Sequence, residues 1–161
     1  MKPYLLIAIA LFVAFLGQTV LLRYFPFIFP YLDLFLIVVV YYSLKENPVK
    51  ATCIGTAAGL IQDAFSSGIL GFNSFAKTII GFILSSINAR IMLHHPATQL
   101  VILILATLLN GLFLKGLSLF FGIKYIPQIF PDIFYQAAVN GIAGIIIISL
   151  LFFYNQKMKK R

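Results

Sequence analysis

Pro3 to Leu22 runs for 20 residues without a charge. At 1.5 Å per residue an α-helix of that length crosses a hydrocarbon core about 30 Å thick. Further apolar runs follow, among them LFLIVVVYY and VILILATLL. The chain is 61% hydrophobic and only 10% charged, whereas a soluble domain is about 25% charged. In lipid every backbone N–H and C=O must be paired internally, so only helices or a closed barrel can span. Barrel strands alternate polar and apolar residues, and these runs do not. The expectation is an all-α polytopic membrane protein. Lys2 before an apolar run also fits a signal peptide, but Gly17-Gln18-Thr19-Val20 lacks a small-x-small cleavage site, so the segment is read as the first helix.

Residues 1–161 read as a single transmembrane domain of six helices, at about 3–22, 31–44, 49–65, 72–92, 97–121 and 133–154. Arg23 to Pro30 is an aromatic-rich outer loop. Pro30 is placed to start helix 2, with Asp33 in its first turn. That helix is short for a span and requires local thinning or snorkelling ends. In helix 3, Ala51, Gly55 and Gly59 recur every fourth residue. Such a face nearly bare of side chains lets another helix approach closely, and a contact within the protein is the favoured reading. Ser66 to Gly71 supplies the turn between helices 3 and 4, because glycine takes positive φ without steric conflict.

The net charge of +8 is concentrated in Lys157, Lys159, Lys160 and Arg161 rather than in a basic patch interleaved with aromatics, which argues against nucleic acid. Basic residues stay cytoplasmic, and the tail also suits anionic membrane lipid. With both termini inside, Lys2, Lys45, Lys50, Arg90 and the four tail residues are cytoplasmic, against Arg23 and Lys124 outside. The location implied is a membrane, with the basic tail on its cytoplasmic side. A re-entrant hairpin around Asp63 to Lys77 is the alternative to two full crossings.

On that topology the strongly polar positions gather in the outer leaflet. Gln18, Asp33, Gln62, Asp63, Asn73, Lys77, Asn110, Lys115, Gln136 and Asn140 all fall there. Ionisable groups inside a membrane tend to face protein or water and to have a role. Asp63, Lys77, Asn73, Gln62, Asn110, Lys115 and Asn140 are therefore candidates for an outer polar pocket or a partner groove. The plainer reading is that they satisfy one another, with Asp63 and Lys77 forming an ion pair across the turn they flank. Cys53 is expected to be a small packing residue, and His94-His95 before Pro96 an interfacial turn rather than a metal site. No catalytic triad, paired carboxylates, phosphate loop or metal cluster is present in the sequence, so neither an enzyme nor a cofactor or metal is expected.

Four features of the chain resemble the MreD family, the small membrane subunit of the bacterial rod-shape machinery. They are Pro30-Tyr31-Leu32-Asp33-Leu34, Asn47-Pro48, the G-x-x-x-G-L-x-x-D run from Gly55 to Asp63, and Ser67-Gly68 followed by Gly71 and Asn73. The resemblance implies a non-catalytic role in lateral peptidoglycan synthesis and cell shape. The partners it implies are an MreC-like protein, a RodA-like glycosyltransferase and its penicillin-binding transpeptidase. It also implies a helix arrangement like that of the substrate-binding subunit of energy-coupling-factor transporters, which makes a vitamin-binding importer subunit the alternative function.

Overall fold

The computed structural model describes residues 3–24, 31–66, 69–88, 96–123 and 130–159. Six helices account for nearly all of them: α1 (Pro3–Tyr24), α2 (Leu34–Ser43), α3 (Pro48–Phe65), α4 (Phe72–Asn88), α5 (Pro96–Phe120) and α6 (Phe130–Lys159). Two of these, through Tyr4–Leu21 and Thr98–Phe120, are long and apolar enough to cross a membrane. The outer loop at 25–30, the whole 89–95 connection with Arg90 and both histidines, and Ser67-Gly68 of the turn lie outside the described residues.

The arrangement follows from α2. It is 10 residues long, about 15 Å at 1.5 Å per residue, yet it touches each of the other five helices. Leu36, Ile37, Val39 and Val40 are almost fully buried. The remaining helices form an arc around it in the order α1, α3, α4, α5, α6, each meeting the next. One apolar cluster joins α2 to α4 and α5 through Leu36, Val40, Ile80, Leu84, Leu103 and Ala106. A second joins its other side to α1 and α3 through Leu11, Ala14, Phe35, Val39, Ile54 and Ala58. Apolar side chains also cover the outside of the bundle, from Phe12 on α1 to Phe82 on α4 and Leu112 on α5, as lipid contact requires.

The closest approach is between α3 and α4. A Cβ at Gly55 would run into the Lys77 carbonyl, one at Gly59 would stand 2.6 Å from the Asn73 carbonyl carbon, and one at Gly81 would stand 2.7 Å from the Ala51 carbonyl oxygen. Backbone therefore meets backbone along the Ala51-Gly55-Gly59 face. Polar bonds cross the middle of the seam as well: Thr56 Oγ1 to Thr78 Oγ1 at 2.8 Å, and Ser74 Oγ donating to the Thr56 carbonyl at 3.2 Å. Cys53, expected to pack, is exposed instead. It lies two positions along from Ala51, which is fully buried, and so points away from α4.

Candidate functional site: the capped start of α2

A helix begins with N–H groups that have no partner inside it. In water those groups are hydrated, but the start of α2 is buried and must be served by side chains. Asp33 is the N-cap, outside the helix proper rather than in its first turn, and its Oδ1 accepts from the Leu36 N–H at 2.9 Å. Gln18 Oε1 of α1 accepts from the Leu34 N–H at 3.2 Å. Asn140 Oδ1 of α6 accepts from the Asp33 N–H at 2.8 Å. Side chains from two other helices, α1 and α6, thus converge on the start of α2.

The second carboxylate oxygen of Asp33 receives Lys77 Nζ of α4 at 2.8 Å. Both side chains are buried, Lys77 completely. An unpaired charge there would be strongly destabilising, so each partner makes the other tolerable. This corrects the sequence-based pairing of Lys77 with Asp63. Lys77 lies more than a turn inside α4, where its stem points at the α2 end rather than back to the α3–α4 turn.

Asp63 has a different task. At the end of α3 its Oδ2 accepts from the N–H of Gly71 at 2.8 Å and of Ser74 at 3.1 Å. Its Oδ1 accepts from the Asn73 N–H at 3.1 Å and from Asn73 Nδ2 at 2.8 Å. The carboxylate caps the first turn of α4 from the neighbouring helix, and negative charge at a helix N-terminus is favourable. Gly71, with φ +99°, turns the chain into that position.

Asn73 joins the two charges. Its Nδ2 donates to Asp63 while its Oδ1 accepts from Lys77 Nζ at 3.4 Å. On the other side, Asn140 Nδ2 donates to Thr107 Oγ1 of α5 at 3.3 Å. One polar chain therefore runs Thr107, Asn140, Asp33, Lys77, Asn73, Asp63. Among the candidate residues it gathers Asp63, Lys77, Asn73 and Asn140. Asn110 is buried one turn along α5 but bonded to none of them, and the carbonyl oxygen of Gln62 is also buried without a partner among the described residues. Lys115 is half-buried.

At the opposite end of α2, Ser85 Oγ donates to the Glu46 carbonyl at 2.6 Å and Asn88 Nδ2 to the Leu44 carbonyl at 2.8 Å. These α4 groups hold the α2–α3 connection, where Asn47 caps α3 through the Lys50 N–H at 3.0 Å. Sequence reasoning passed over Ser85 and Asn88. Their spacing of three is the available signal, since it places both on one helix face. Among the described residues no group of His, Cys, Asp and Glu could hold a metal ion.

A short buried helix, held at both ends by polar groups from its neighbours, describes the whole chain rather than a local motif. A family model described as rod shape-determining protein MreD matches residues 1–158. The chain belongs to the MreD family. Comparison with curated proteins and with solved structures gave no match. MreD membership assigns the chain to rod-shape determination at the membrane, as part of the MreB, MreC and MreD machinery. A vitamin-binding importer subunit finds no support in these comparisons.

Proposed function

We propose that this chain is a non-catalytic, multi-pass scaffold of the cell-elongation machinery in the bacterial inner membrane. It supports lateral peptidoglycan synthesis through intramembrane contacts with an MreC-like protein and, through that assembly, with a RodA-like glycosyltransferase and its penicillin-binding transpeptidase. The family match over residues 1–158 carries this reading. The polar chain favours it further, because Asp33, Asp63 and Lys77 are engaged with protein groups and so act in holding the helices.

The proposed topology is one domain with six crossings and both termini cytoplasmic. α3 and α4, 18 and 17 residues long, rise about 25–27 Å, the short end of the range for a spanning helix, so full crossings require local thinning of the bilayer. In a rod-shaped bacterium that depends on this protein, depletion is expected to round the cells, and tagged protein is expected to co-purify an MreC-like protein. Cells that stay rod-shaped after depletion would refute the function. Topology is tested separately by thiol labelling of Gly68→Cys and His94→Cys in a Cys53→Ser background. Position 68 is expected to react from outside and 94 only from inside. Labelling of both from the same side would overturn six crossings.

A further inference from the structure

We propose that Asn110 of α5 holds a buried water molecule, bridging it to Thr107 on the same helix and to Asn140 of α6. Asn110 is 1% exposed, and neither its Nδ2 nor its Oδ1 has a hydrogen-bond partner among the described residues. Exchanging the two ends of the amide cures nothing, because both are unpaired. A polar side chain in a water-free interior is strongly disfavoured unless it is bonded, and buried polar groups without a protein partner are met by ordered water.

The surroundings suit one water. Thr107 and Asn110 are three residues apart on α5, so their Cβ atoms are about 5–6 Å apart, roughly two hydrogen-bond lengths. Thr107 Oγ1 donates to the Leu103 carbonyl at 2.8 Å and accepts from Asn140 Nδ2 at 3.3 Å, which leaves it one lone pair. Asn140 Nδ2 has a second N–H beyond the one given to Thr107. Asn110, Thr107 and Asn140 are each buried to 1% exposure or less. These groups supply the two to four partners that an internal water needs. At the residue after Asn110, Ile133 of α6 lies against Gly111, its Cγ2 2.9 Å from where a Cβ would be, so α5 and α6 are closely packed here. The water makes Asn110 the last member of the polar chain that leads through Asn140 to Asp33 and Lys77.

The test is a high-resolution structure of the full chain in lipid nanodiscs, together with equilibrium unfolding of variants. Expected is single-water density within hydrogen-bond distance of the Asn110 amide and of Thr107 or Asn140. A direct Asn110 bond to protein, density too large for water, or no density where other buried waters are visible overturns the proposal. Asn110→Leu is expected to lower the folding constant about tenfold, and by less when Asn140→Leu is already present. An Asn110→Leu protein as stable as the parent, or more stable, also overturns it. If the variant does not fold, the density in the unaltered protein decides.

Discussion

The starts of α2 and α4 are each capped by an aspartate, and they are built in opposite ways. The start of α4 is closed locally: Asp63 bonds to residues 8 to 11 positions away, across one turn. The start of α2 is closed from afar. Its groups come from Gln18, 16 residues back, from Lys77, 44 residues on, and from Asn140, 107 residues on. The first can form as soon as a hairpin does. The second exists only once α1, α4 and α6 have docked, so it reports assembly of the whole bundle.

Breaking the distant cap should have the larger effect. Lys77→Met leaves Asp33 charged and buried, and a loss of about 3–5 kcal/mol is expected. Adding Asp33→Asn to that variant should recover much of it, measured by unfolding in mixed micelles. No recovery would mean that Lys77 acts through something other than Asp33. Next comes the α3–α4 seam. Gly59→Leu forces a side chain into the Asn73–Ser74 backbone and should lose about 1–3 kcal/mol or more. A paired-cysteine crosslink between α3 and α4 should weaken in parallel. Asp63→Ala removes the local cap at about 1–2 kcal/mol, and hydrogen exchange should rise in the first turn of α4 while α2 stays protected. Loss of protection at both starts would mean that the two caps are not independent. The smallest change is expected for Thr56→Val at the Thr56–Thr78 bond, about 0.6 kcal/mol by analogy with membrane double-mutant cycles.

The same contrast explains how far the sequence could be read. The glycine spacing, the turn glycine and the polar residues around it were legible because every partner lies within one hairpin. The pairing of Lys77 was misread because proximity in the chain favoured Asp63. Nothing in the sequence reveals that α4 needs Asp63 for its own orphan N–H groups. Nor could the meeting of Gln18, Asp33 and Asn140 be found without the order of the helices around α2. Their residue types were legible as costly in lipid, but their common task was not. Cys53 was misassigned because a small residue on a helix suits the inside and the outside equally well.

One feature of the arc has a mechanical side. Its neighbours meet in succession from α1 to α6, but among the described residues α1 and α6 do not meet each other. The circumference of the bundle is therefore not closed, and its two free margins are held to the centre by single amides, Gln18 on one side and Asn140 on the other. Spreading that seam separates no pair of adjacent helices in the arc. Among the described residues it strains the two tethers, the Tyr31–Tyr135 ring contact and the apolar contacts that α1 and α6 make with α2.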